Sequence, residues 1–409
     1  LQPYEGRSLT LAELQQAADA ITQLYLDRGY LTTRAVLVDQ AIENGVVQIR
    51  VIEGALERIE IEGNRRVDPA YIRSRIALGG RTPVRQADLE DQLRLLRLDP
   101  LFDNVEASLR PGSGIGQSIL VVRVTEADPW FGTVGADNYS PPSVGSERLG
   151  VAVGYRNLTG LGDELYGSYY RSTTGGSDLL DFSYRVPINP HNGTIQLRAA
   201  PNFYTITDPA FDELNIHGQQ SLYEITYRQP LIQSPREEFA LSIGLTYEDG
   251  ETLIGSFLSD SSTTSVIQFA QDYIHRDTHG AWAVRSQFNF GTGLFGATHS
   301  DTSTPDGQFF SWLGQFQRVQ IFNTRNLLIT QLDVQLTPDG LLSSQQFVIG
   351  GGQSVRGYQQ NIRLGDNGVR FSIEDRITLL QNESGQPTLQ LAPFVDLGTV
   401  WNAANNPNS

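Results

Sequence analysis

Val355-Arg356-Gly357-Tyr358 is the segment whose residue types most demand a partner, and it lies in a long connection running from about Pro338 to Asp366. Three glycines, Gly350-Gly351-Gly352, precede it. A solvated extracellular loop is the plain alternative, yet a single guanidinium beside a glycine hinge and an aromatic ring suits a loop folded into a polar interior. There the cation needs an anion. Period-two alternation along Leu389, Leu391, Pro393, Val395 and Leu397 turns Phe394, Asp396 and Gly398 together to the opposite face. An Arg356–Asp396 pair would pin the loop to that face. Deleting one partner would cost roughly 3–5 kcal/mol if the pair is desolvated and about 1 or less if it is wet.

Other chemistries find less support. With no cysteine there is no disulfide, thiolate metal site or cysteine nucleophile. His191, His217, His275, His279 and His299 fall mostly at strand ends or in turns, and the turn through Asp277 separates the one close pair. Gly112, Gly114 and Gly116 resemble a phosphate loop but join two strands instead of opening a helix. Asp208 and Asp212 read as solvated loop carboxylates, and no hydrolase elbow, zinc motif or nucleotide loop occurs. The expectation is a non-enzyme with no cofactor and no metal, a β-barrel hydrolase being the distant alternative. The formal charge is −16, with 46 acidic residues against 30 basic, all of them arginine, which disfavours nucleic acid as a partner.

The elements that must position the loop begin after residue 129, but the first part has its own pattern. Thr10 and Glu13 form a capping box ahead of Leu11, Leu14, Ala17, Ala18, Ile21, Leu24 and Tyr25 at helical spacing, with Gly29 as the stop. Residues 33–38 and 46–52 read as strands around Glu43-Asn44-Gly45. A second unit reads as a strand over 56–61, helices near 68–77 and 86–98, and strands near 102–110 and 118–125. Leu26, Asp27 and Tyr30 fall opposite Leu98, Asp99 and Phe102, about 72 residues apart, so the two are repeats of one β-α-α-β-β module. The first copy lacks its opening strand and helix, and the chain begins with Leu and contains no Met, so a cut inside that module is expected.

No apolar run approaches the roughly 18 residues of a membrane helix. From Trp130 onward, however, strands of about ten residues alternate strictly. Phe239, Leu241, Ile243, Leu245 and Tyr247 face away from Ala240, Ser242, Gly244, Thr246 and Glu248. Trp282, Phe288, Phe290, Trp312 and Tyr227 lie on apolar faces or near strand ends. Strands of that length and pattern suit a bilayer, where they must close into a barrel. About thirteen can be counted. The terminal Asn402–Ser409 has loop composition, so further strands are expected beyond it.

Val355-Arg356-Gly357-Tyr358, Phe394-Val395-Asp396-Leu397-Gly398 and Asn157-Leu158-Thr159-Gly160-Leu161-Gly162-Asp163 together resemble two-partner secretion transporters, the haemolysin secretion/activation type. These belong to the outer-membrane assembly-factor superfamily, and the repeated modules look like its polypeptide-transport-associated (POTRA) domains. The resemblance covers essentially the whole chain. It implies a POTRA domain at 1–54, truncated at its start, a second at 55–127, and a transmembrane antiparallel barrel over 128–409 with about 13 of 16 strands present. It also implies that periplasmic POTRA domains capture an unfolded exoprotein by its N-terminal secretion domain. The barrel then exports it across the outer membrane without nucleotide hydrolysis. The family's loop arginine maps onto Arg356 and its wall aspartate onto Asp396. Expected partners are this exoprotein and outer-membrane lipid, with the chain a monomer. An insertase of the same superfamily is the nearer alternative.

Overall fold

The computed structural model describes residues 2–299, 305–404 and 406; of the terminal segment read as a loop, residues 405 and 407–409 lie outside the described residues. The chain forms two compact units, Leu1–Pro129 with Thr159–Gly162, and Trp130–Leu158 with Asp163–Ser409.

The first unit contains α1 (Leu11–Asp27), β1 (Arg34–Leu37), β2 (Ile49–Ile52), β3 (Ala55–Glu62), α2 (Pro69–Ala77), α3 (Gln86–Arg97), β4 (Phe102–Pro111) and β5 (Gln117–Glu126). The capping box starts α1: the Glu13 N–H donates to Thr10 Oγ1, and the Thr10 N–H donates to the Glu13 carboxylate at 2.7 Å. That N–H, with Arg7 and the Thr10 hydroxyl, holds the Glu13 pKa at about 2. Gly29, at φ +85°, adopts the left-handed conformation that ends the helix. β1 and β2 pair antiparallel, while β3 runs parallel to β5 and β5 antiparallel to β4. Ile72, Ile76, Leu96, Val105, Leu120 and Val122 form the core beneath α2 and α3, each burial contributing roughly 1.5–3 kcal/mol. Glu126, at the end of β5, accepts from the backbone N–H groups of Arg65, Arg66 and Val67. Burial alone would raise its pKa. The Val67, Arg65 and Arg66 amides with the Arg66 guanidinium outweigh burial and hold it below the ordinary carboxylate range.

The second unit is one antiparallel sheet. It runs β6 (Trp130–Asp137), β7 (Arg148–Arg156), β8 (Glu164–Ser172), β9 (Ser177–Pro187), β10 (Thr194–Thr205), β11 (Ile216–Gln233), β12 (Glu237–Ile254), β13 (Phe257–Asp277), β14 (Gly280–Thr292), β15 (Phe310–Asn323) and β16 (Asn326–Leu336), each paired with the next. A hairpin, β17 (Phe347–Ile349) with β18 (Arg363–Gly365), lies in the following connection. β19 (Asn367–Gln381) then pairs with β16 on one side, and with β20 (Pro387–Leu391) and β21 (Phe394–Trp401) on the other. The register is unchanged across the gap, with Ile377 opposite Leu391 and Glu374 opposite Phe394. β20 and β21 are therefore one stave, interrupted where Pro393 has no N–H to give the ladder. Counted so, the sheet has the thirteen staves read from the sequence. Among the described residues no ladder joins β6 to β20 or β21.

Strand length departs from the expected ten. β11 and β12 have 18 residues and β13 has 21. Their ladders continue through Ser, Thr, Asp and Glu beyond the apolar stretch, because pairing to a neighbour, not hydrophobicity, decides where a strand stops. The two faces differ throughout. Cross-strand rows such as Leu197–Ile225–Leu245–Ile267 stand on one face, with Leu197, Ile225 and Ile267 exposed. Aromatic pairs border this band: Tyr223–Tyr247 with rings 6.4 Å apart, and Tyr273–Trp282 at 4.9 Å. From Tyr247 to Phe239, β12 runs roughly 26 Å at ~3.3 Å per residue, or about 20 Å of height at the ~40° tilt of barrel strands, most of the ~25 Å apolar band of a membrane barrel.

Candidate functional site

The opposite, polar face carries cross-strand ion pairs. Asp181 holds Arg198, Asp272 holds Arg285, and Asp333 holds Arg370. Against this face lies the Pro338–Asp366 connection, whose β17–β18 hairpin carries Gly350–Ile362 at its tip.

Arg356 is clamped there by four groups. Its Nε donates to Asp396 Oδ2 at 2.7 Å and its Nη2 to Oδ1 at 2.8 Å, a bidentate pair, while its backbone N–H reaches Oδ2 at 3.0 Å. Nη1 donates to Glu374 and Nη2 also to Ser372 Oγ at 3.1 Å. The Ser372 hydroxyl in turn donates to Asp396 at 2.7 Å. The guanidinium lies 3.6 Å from the Phe394 ring centroid, a cation–π contact. Asp396 keeps 2% of its side chain exposed and Arg356 25%. This is the desolvated case for the aspartate and an intermediate one for the arginine.

The spacing of the wall residues follows from this geometry. Phe394, Asp396 and Gly398 share the inner face of β21, as alternation required. Phe394 backs the cation and Asp396 neutralises it. A Cβ on Gly398 would lie 2.9 Å from Val355 Cγ2 and 3.4 Å from Ile349, so glycine leaves room for the buried Val355. Gly357 adopts φ +90° with nothing near its missing Cβ, so its role is the backbone turn after Arg356. Tyr358 is not part of the cluster; it is exposed.

Glu374 and Ser372 went unread in the sequence. They share the inward parity of β19 with Arg370 and Arg376, and alternation alone does not say which of the four meets Arg356. A second anchor was also unread. Asp366, fully buried at the base of the loop, accepts from the N–H groups of Leu341 and Ala403 and from the amides of Gln346 and Asn406. Burial would raise its pKa, but Gln346, Leu341, Asn406 and Ala403 outweigh that and lower it. Of the third motif, Asn157 (φ +64°) and Asp163 close a tight turn through a 2.6 Å bond from the Asn157 N–H to the Asp163 carbonyl. His275 and His279 sit at the β13–β14 turn, where the Asp277 carboxylate accepts from the His279 N–H.

The arrangement pins a loop to the polar face of the sheet. A family model described as haemolysin secretion/activation protein ShlB/FhaC/HecB matches residues 116–409, and a POTRA domain model of ShlB type matches residues 1–54. Outer membrane transporter CdiB of Escherichia coli is 27% identical over 390 residues, covering 90% of this chain and 63% of CdiB. The heme/hemopexin transporter protein HuxB of Haemophilus influenzae is 22% identical, covering 91% of this chain and 67% of HuxB. The solved structure of CdiB from Escherichia coli superposes with a TM-score of 0.75 at 23% identity, covering 97% of this chain and 75% of that one. The chain thus spans a little under two thirds of the length of CdiB. With a family model matched over more than half of its residues, the chain belongs to the haemolysin secretion/activation protein family ShlB/FhaC/HecB.

Proposed function

We propose that this protein is an outer-membrane pore that exports an unfolded secreted protein through its barrel, with POTRA domains at 1–54 and 55–127 in the periplasm receiving the cargo. The observation that carries the reading is the Arg356 loop, ion-paired to Asp396 on the polar face of a sheet whose other face is an exposed apolar band. A polar bore occupied by a tethered loop is a gated path. Its lining of ion-paired and amide side chains offers an extended polypeptide hydrogen bonds. The export needs no nucleotide, and the named relatives are transporters rather than enzymes.

Cargo capture is supported by β4, an edge strand beside an apolar groove lined by Leu31, Val84, Leu89, Leu93, Leu109 and Leu120. An extended segment adding to that edge pairs through its backbone, so many sequences are accepted. The test is co-expression with a candidate secreted protein that carries an N-terminal secretion domain, scoring its release into the medium. Release that depends on this protein supports export. Release that is independent of it, with impaired assembly of other outer-membrane proteins, would instead indicate an insertase.

A further inference from the structure

On the outer face of the sheet, a cross-strand row near one end is polar apart from one phenylalanine. Asp178 of β9 stands opposite Phe203 of β10, Phe203 opposite Gln219 of β11, and Gln219 opposite Glu251 of β12. Pairing parity places these side chains on the face away from Asp181, Arg198 and Glu224, which carry the inner ion pairs. With His217 and Leu253 they line a cavity of about 340 Å³.

Its height on the wall is the informative feature. Gln219 and Glu251 lie four residues beyond the aromatic pair Tyr223 and Tyr247 on the same two strands, toward the 206–215 connection. Four residues are roughly 13 Å along a strand at ~3.3 Å each. The long connections 138–147, 206–215, 293–309 and 337–366 all leave this end of the sheet, whereas the turns 234–236, 278–279 and 324–325 at the other end are short. In membrane barrels the long loops are extracellular. The cavity therefore faces outward at the level of the outer-leaflet headgroups.

We infer that this cavity binds the saccharide headgroup of an outer-leaflet glycolipid. The side chains match that chemistry. The Glu251 carboxylate, whose one hydrogen bond among the described residues comes from Gln219 Nε2 at 2.9 Å, accepts from sugar hydroxyls. Gln219 can both donate and accept, and His217, whose Nδ1 donates to the Asn215 carbonyl at 3.0 Å, presents Nε2 as an acceptor. The exposed Phe203 ring offers a flat apolar face to sugar C–H groups. Asp178 is held by Arg171 Nη1 at 2.7 Å and by the Tyr169 hydroxyl at 2.5 Å, so this edge of the cavity is a neutralised pair and not a bare charge. A phospholipid headgroup, small and anionic or zwitterionic, would find no unpaired cation here.

The experiment is native mass spectrometry of the protein in detergent micelles with three probes: digalactosyl diacylglycerol, whose sugar headgroup is uncharged, its delipidated digalactosyl glycerol, and phosphatidylethanolamine. One-to-one adducts with both saccharide probes are expected, at least tenfold tighter than with phosphatidylethanolamine. Glu251→Gln and Phe203→Ala should each weaken both saccharide adducts about tenfold. Heat-modifiable migration on gels verifies folding, and the isosteric Glu251→Gln keeps the test open if Phe203→Ala fails to fold. Binding of intact digalactosyl diacylglycerol without the delipidated digalactosyl glycerol would assign the contact to acyl chains on the apolar band and overturn the inference. Adducts unchanged in the folded Glu251→Gln protein would overturn it too.

Discussion

Replacing Asp396 by Asn keeps its shape but removes the charge that holds Arg356. The carboxylate receives four donors, namely Arg356 Nε, Nη2 and backbone N–H, and the Ser372 hydroxyl, and it is almost fully buried. Breaking a buried pair costs about 3–5 kcal/mol. Arg356 retains a quarter of its side chain exposed and keeps Glu374, so the low end applies. About 3 kcal/mol shifts the ratio of tucked to released loop by roughly 150-fold. The shift is readable by trypsin, because the chain contains no lysine and every cut reports an arginine. In the Asp396→Asn protein, cleavage after Arg356 should become fast in the folded barrel, and cargo release into the medium should fall at least tenfold with membrane insertion nearly unchanged. Arg356→Ala should reduce release as strongly, and the double substitution should cost little more than either single one. Normal release together with unchanged protection of Arg356 would refute the reasoning.

Gly398→Val should displace Val355 and the loop tip at a cost of about 1–3 kcal/mol, with faster tryptic cleavage at Arg356 and partial recovery when Val355→Ala is added. On the outer face, Ile225→Arg sits near the middle of the apolar band and should cost about 2–4 kcal/mol of folding stability in liposomes, whereas Thr226→Arg, on the inner face, should cost far less; equal costs would contradict the assignment of faces. Glu126 has a lowered folded-state pKa, so its stabilisation is fully present above the ordinary carboxylate pKa and is lost as pH falls through the folded value. Helical circular dichroism in urea, which reports α1–α3, should therefore show stability falling below about pH 4.5, and Glu126→Gln, costing about 1.5–3 kcal/mol at pH 7, should flatten that dependence.

Sequence alone determined the faces, because the side-chain period of a strand is two and does not depend on its neighbours. Phe394, Asp396 and Gly398 had to point one way and Val395 and Leu397 the other. The capping box at Thr10 and Glu13 was equally local. Tertiary structure decided what stands beside what. Glu374 meets Arg356, and Arg370 instead donates to the Gln353 carbonyl, because the β17–β18 hairpin sets the height of the loop against β19. Alternation assigns a face and is blind to height. The same holds for the row Asp178–Phe203–Gln219–Glu251. Four strands each contribute one residue, and only the pairing registers, which shift every partner if they slip, bring those residues to one level of the wall.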